Sequence, residues 1–229
     1  ALAKDSGGNT LNYLAPNTSF TEVTYPDTSS ITPRPTIKTT PEPVSVSVTA
    51  DADTYLVDGT TAHGSDEELK INQATDYYSS TSPGLKDIKG LGLIRFDLSK
   101  YAGKKLTSAT LKLYDKFTNT DKRNSVLHLD YCSKNDWDEA TVTINDIKTR
   151  GEGTPLSSLG LQVSPAYNVD YKEISFDVTD VIKEKCTDNL ITFTLWTGTG
   201  REQVIASKEY SGTDAQGPTL VLEFEGEEQ

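Results

Sequence analysis

From Val44 onward the chain alternates. Val44-Ser45-Val46-Ser47-Val48 sends apolar and polar side chains to opposite faces of an extended segment, which is the pattern of a half-buried β-strand. Comparable signals recur at Glu68–Ile71, Leu91–Leu98, Ala109–Tyr114, Val126–Cys132, Thr141–Ile144, Glu173–Val178, Leu190–Thr197, Val204–Ser207 and Thr219–Phe224. Turn-forming segments separate them: Asp58-Gly59, Ser82-Pro83-Gly84, Asn119-Thr120-Asp121, Gly151-Glu152-Gly153 and Ser211-Gly212. Many short strands, polar loops and no alternating helices predict an all-β fold, a jelly-roll-like antiparallel β-sandwich over residues 44–229. One helical signal interrupts the series at Asp177–Lys185. There Thr179 or Asp180 can cap a short turn whose Val181 and Ile182 pack down to plug one end of the sandwich.

Residues 1–43 lack this pattern. They hold six of the ten prolines, many Thr and Ser, and few large apolar residues, a composition too poor in buriable surface to offset chain entropy. This segment reads as an extended arm or linker. Within it Phe20-Thr21-Glu22-Val23-Thr24-Tyr25 is extended enough to add to the sheet edge of a neighbouring copy, with Phe20, Val23 and Tyr25 as the contacts of an assembly strand. Folding back onto its own domain is the other reading.

Charge and composition narrow the partners. A formal net charge of -12 over 229 residues repels a nucleic acid, and no apolar run approaches the ~18 residues of a membrane span. The two cysteines, Cys132 and Cys186, close a long loop if joined, and an extracellular setting favours that disulfide; two separate buried thiols are the alternative. His63 and His128 stand far apart without a surrounding motif, and Asp136, Asp138 and Glu139 read as turn-capping residues, so the chain is not expected to be an enzyme.

Several segments in order resemble a known family. They are Ala52-Asp53-Thr54-Tyr55-Leu56-Val57-Asp58-Gly59, then His63-Gly64-Ser65 and Leu69-Lys70-Ile71, then Ile94–Ser99 and Leu106–Tyr114. Trp137-Asp138-Glu139-Ala140-Thr141-Val142-Thr143-Ile144-Asn145, Phe176–Val181 and Ser207-Lys208-Glu209 complete the series. Together they resemble the DNRLRE-domain family, including its alginate-type carbohydrate-binding modules (carbohydrate-binding module family 96). Ala62-His63-Gly64 stands where the family often has Asn-Tyr-Gly. The resemblance implies a β-sandwich that is secreted or attached to the cell surface and binds polysaccharide, an acidic glycan such as alginate being one candidate. The alternative is a structural subunit of an extracellular filament or surface layer, with copies of the same chain as partners.

The resemblance places the central strands side by side, and alternation then picks out a surface. If Ile94, Phe96, Leu111 and Leu113 point inward, Arg95, Lys112 and Tyr114 point outward, and Lys70 joins them from between Leu69 and Ile71. Lys70, Arg95, Lys112 and Tyr114 are the expected basic-aromatic patch for an acidic sugar, with Tyr77 and Tyr78 as loop platforms. Trp137 is expected in the core. Asp51, Asp53 and Asp58 cluster near the first strand and are candidate oxygen ligands for a structural calcium ion; turn capping explains them equally well.

Overall fold

A computed structural model describes Gly7 and residues 41–57, 63–72, 89–117, 126–147, 156–164, 169–186, 188–197 and 202–226. Contacts within the chain separate residues 1–39 from residues 40–229, and the second unit carries all the secondary structure described below. The arm residues Phe20, Val23 and Tyr25, the loop residues Tyr77 and Tyr78, and Asp58 lie outside the described residues.

Among the described residues eleven strands form two antiparallel sheets: β1 (Val44–Thr49), β2 (Ala52–Leu56), β3 (Glu68–Ile71), β4 (Leu91–Asp97), β5 (Leu106–Phe117), β6 (Leu127–Cys132), β7 (Leu156–Val163), β8 (Val169–Asp177), β9 (Leu190–Thr197), β10 (Gln203–Ala206) and β11 (Thr219–Phe224). The short α-helices α1 (Ile144–Ile147) and α2 (Thr179–Lys185) and a 3-10 turn at Ser99–Tyr101 accompany them. The five-stranded sheet runs β2-β4-β9-β6-β7. In the six-stranded sheet β5 is the axis: β8 pairs along one edge, while β11 and then β10 pair along the other. β1 lies outside β11, and β3 lies outside β10. Consecutive strands change sheets at every step except β6 to β7 and β10 to β11, which makes this the jelly-roll-like sandwich that the turn spacing predicts.

Alternation decides what each strand contributes. Leu69 and Ile71, Ile94 and Phe96, Leu111 and Leu113, Ile191, Phe193 and Leu195, and Leu220 and Leu222 meet between the sheets and are essentially inaccessible to solvent. The opposite face of the five-stranded sheet has a second apolar layer. Leu91 and Leu93 of β4, Leu56 of β2 and Cys132 of β6 are covered there by Trp137, Val142, Ile144 and Ile147 from the segment after β6. β2 is buried along its whole length yet carries a polar residue on each face, Asp53 and Thr54, so it shows no apolar/polar alternation and is not legible as a strand.

The segment Thr141–Ile144 departs from expectation. It is a turn leading into α1, not a strand. The Asp138 carboxylate accepts the Ala140 N–H (2.9 Å), and Asp146 accepts both the Thr143 N–H (2.8 Å) and its hydroxyl (2.7 Å), so side chains satisfy backbone groups that a strand would pair. β7 was not foreseen either. Its Ser-Ser-Leu-Gly-Leu run is broken by Gly160 at φ 66°, opposite an irregular register between Leu129 and Asp130. The helix α2 forms where predicted, but its first turn is held by Asp177, whose carboxylate accepts the Thr179 N–H (3.0 Å) and hydroxyl (2.6 Å). Val178 and Ile182 are buried.

Both cysteines are free thiols, and the expected disulfide is not formed. Cys132 belongs to the layer outside the five-stranded sheet, whereas Cys186, just after α2, packs against the core between the sheets. Burial pushes the Cys132 thiol up to about 11. Among the described residues no helix is long and apolar enough to cross a membrane.

Candidate functional site

The patch expected from alternation splits in two. Arg95 does point away from the core, but β4 belongs to the five-stranded sheet, while Lys70, Lys112 and Tyr114 stand on strands of the six-stranded one. The two outer faces lie on opposite sides of the sandwich, so Arg95 is corrected out of the patch. Its guanidinium instead fastens the covering segment. Nε and one terminal nitrogen donate to Asp51 Oδ2 (2.9 and 2.7 Å), and the other terminal nitrogen donates to the carbonyls of Asn135 (2.9 Å) and Trp137 (2.6 Å). The guanidinium carbon also sits 5.0 Å from the centre of the Trp137 ring. Trp137 itself is core, with its indole N–H donating to Thr192 (3.1 Å).

A second network forms one corner of the sandwich. Asp53 is fully buried; one carboxylate oxygen accepts the Lys208 N–H (2.8 Å), and the other has no hydrogen-bond partner. Burial raises its carboxyl to about 7, opposed by the Lys208 N–H and helped by the nearby Glu209. The Asp53 N–H donates to Glu139 (3.2 Å), and the Lys208 ammonium pairs with Glu139 (3.0 Å) and with Glu209. Gly64 packs so closely that a Cβ there would lie 2.4 Å from the Glu139 carbonyl oxygen. His63 stacks on Tyr55 (centroids 4.1 Å apart) and meets Asp66 at 3.2 Å. The proposed calcium ligands therefore diverge: Asp51 serves Arg95, and Asp53 serves the backbone of Lys208. Among the described residues no three His, Cys, Asp or Glu side chains are arranged to hold a metal ion.

The outer face of the six-stranded sheet keeps three of the four expected residues together. Register puts Lys70 opposite Val204 and Val204 opposite Lys116, a row across β3, β10 and β5. Along β5 the same face carries Lys112 and Tyr114 beside Lys116. Strand spacing places Lys70 and Lys116 ~10 Å apart, and pleat spacing places Lys112 and Lys116 ~13 Å apart. Lys112 meets Glu173 at 3.0 Å and Lys116 meets Glu68 at 3.7 Å, while Lys70 is exposed and has no ion pair among the described residues. Lys116, Tyr171 and Tyr210 were missed from the sequence. The Lys116 ammonium lies 5.4 Å from the Tyr171 ring centre, and Tyr171 meets Tyr210 edge-on at 4.9 Å. Burial raises the pKa of Tyr171, and the hydrogen bond its hydroxyl donates to Glu68 (2.9 Å) adds to the rise. β5 and β8 both extend past the limits read from alternation, which is why Lys116 and Tyr171 escaped; Tyr210 lies after β10, outside any strand.

The sequence profile of carbohydrate-binding module family 96 matches residues 44–224, the whole span from β1 to β11. The chain belongs to this family. No curated protein shows significant similarity to it.

In this family 96 module the residues that carried the resemblance are largely scaffold. Asp53, Gly64, Glu139 and Ser207-Lys208-Glu209 converge in the corner network, and Arg95 and Trp137 fasten the covering segment beside it. Trp196 departs from a simple core role. It is half-buried, stacks on His128 (centroids 4.1 Å apart) and donates to Asp130 (2.6 Å) on the covered side of the module. Burial lowers the pKa of His128, against the pull of Asp130. The six-stranded sheet thus presents an outer face where cations and aromatic rings stand together, and among the described residues no apolar layer like that on the opposite side covers it.

Proposed function

We propose that this family 96 module binds an acidic polysaccharide without chemically altering it, outside the cell or at its surface. The contact face is the outer side of the six-stranded sheet. The observation carrying this reading is the set Lys70, Lys112 and Lys116 interleaved with Tyr114 and Tyr171 on one sheet face of a chain whose net charge is -12. Ammonium groups ~10–13 Å apart suit carboxylates repeating along an extended polymer, and tyrosine rings supply faces for the apolar sides of pyranose rings.

Affinity electrophoresis in gels containing alginate, polygalacturonate or a neutral glucan tests it. Retention by an acidic gel that weakens as salt is raised, with at least tenfold weaker binding for Lys70→Ala/Lys116→Ala at low salt, is expected. Retention unaltered by the double substitution would move the site elsewhere. Equal retention by neutral and acidic gels would remove the charge argument.

A further inference from the structure

At the α2 end of the sandwich, away from the flat face, the described residues line an open pocket of about 500 Å³. That is within the ~300–1,000 Å³ typical of small-ligand sites. Its floor is apolar and ordered by stacking: Tyr101 and Phe224 lie nearly parallel with ring centres 5.5 Å apart, and Leu222 and Ile182 fill in beside them. Its rim is cationic. Lys104 and Lys105 come from the turn after the short 3-10 segment Ser99–Tyr101, and Lys183 comes from α2 across the opening. Lys105 is paired with Glu225 (2.6 Å), and the Lys183 ammonium donates to the Thr107 carbonyl (3.2 Å), which holds it at the mouth. Asn189, at φ 60° and accepting the Leu98 N–H (2.6 Å), fixes the remaining wall.

We propose that this cavity is a second carbohydrate site, taking one or two uronate units of a glycan end-on. A hexuronate has what the lining asks for, a carboxylate for the lysine rim and an apolar ring face for the Tyr101/Phe224 floor. Among the described residues the lining holds three lysines and no Asp or Glu, while of the carboxylates nearby Glu225 is paired with Lys105, and Asp97 and Asp188 act on Cys186. The site rests on the reading of this chain as a carbohydrate binder, but not on the flat face. With both sites filled the module holds two chains, or two stretches of one chain, at once.

Cys186 supplies the readout. It lines the cavity and is half-buried, whereas Cys132 is fully buried and acts as an internal control. Burial raises the Cys186 pKa, with Asp188 and Asp97 adding to the rise, so alkylation is best followed at pH 9. The experiment measures the iodoacetamide labelling rate of Cys186 in the full chain by peptide mass spectrometry, with trigalacturonate, trimannuronate or cellotriose present. At least fivefold protection by one of the acidic trimers, none by cellotriose, and loss of protection in Lys104→Glu/Lys183→Glu are expected. Lys70→Ala/Lys116→Ala should leave protection intact. Unchanged labelling by either acidic trimer, while acidic gels still retain the protein, overturns the cavity site and leaves the flat-face reading standing. Failure of every acidic glycan to bind in either assay overturns both.

Discussion

Asp115 offers the sharpest quantitative prediction. It lies on β5 in phase with Leu111 and Leu113, faces the interior, and is 1% exposed, with one carboxylate oxygen lacking a hydrogen-bond partner. Burial alone lifts its carboxyl from the ordinary 3.8 to about 7. Between those two values the folded chain holds a proton that the unfolded chain has released, so folding stability falls as pH rises from about 4 to about 7 and stays low above that. A gap of roughly three pKa units at ~1.4 kcal/mol each sets the penalty at neutral pH at up to about 4 kcal/mol. Asp115→Asn keeps the shape and cannot ionise. Urea titrations followed by tryptophan fluorescence from pH 4 to pH 8.5 should show the variant within about 1 kcal/mol of the parent at pH 4 and more stable by about 2–4 kcal/mol at pH 8. Taking the difference between the two proteins removes the general self-repulsion of a chain carrying -12, which has the same sign. Parallel stability curves for the two proteins, or a variant that is less stable at pH 8, would refute the reasoning.

The scaffold makes further predictions. Arg95→Ala should cost about 2–4 kcal/mol in urea titrations, because two carbonyls, Asp51 and the Trp137 ring lose their partner together, while binding of acidic glycan by the folded fraction stays unchanged; a loss of affinity without a loss of stability would restore Arg95 to the binding surface. Gly64→Ala should destabilise by about 1–3 kcal/mol through collision with the Glu139 backbone, read as a fall in thermal midpoint. Thermal midpoints with and without a reductant should agree, and two thiols should titrate on denaturation; a linked Cys132–Cys186 peptide pair would contradict this. Asp97 and Asp177 accept hydrogen bonds from Ser99 and Thr179 that hold their carboxyls below the ordinary value. Their stabilisation is present above about pH 4 and lost as pH falls further, so Asp177→Ala should flatten the acid limb of the stability curve below pH 4.

The strands that face solvent on one side were legible because period-two alternation is the direct imprint of one buried face, as in β5 and β11. β2 and the Thr141–Ile144 segment were misread for a shared reason. A sheet covered on its second face breaks alternation in the strand beneath and imposes a strand-like apolar rhythm on the loop above, where Val142 and Ile144 bury onto Leu91 and Leu93. The patch failed at Arg95 by the same route. Alternation tells which side of its own sheet a residue takes, but the sheet to which β4 belongs is a long-range property. Lys116 and Tyr171 stayed hidden because the sequence marks strand centres better than strand ends.

The seat of β11 carries a consequence for how the chain acquires its structure. The last strand is inserted between the first strand and β5, so the six-stranded sheet has a missing slat until residues 219–224 have been made. A chain leaving the ribosome from its N-terminus can pair β6 with β7 early, yet β11, the strand that pairs β1, is the last of the described strands to be made. Most of the remaining pairings also join distant segments, so closure of the sandwich waits for β11 and is slow, in milliseconds to seconds. A chain stopped before Thr219 would leave β1 and the Leu106–Lys112 part of one β5 edge unpaired, open edges that seek strands from other molecules.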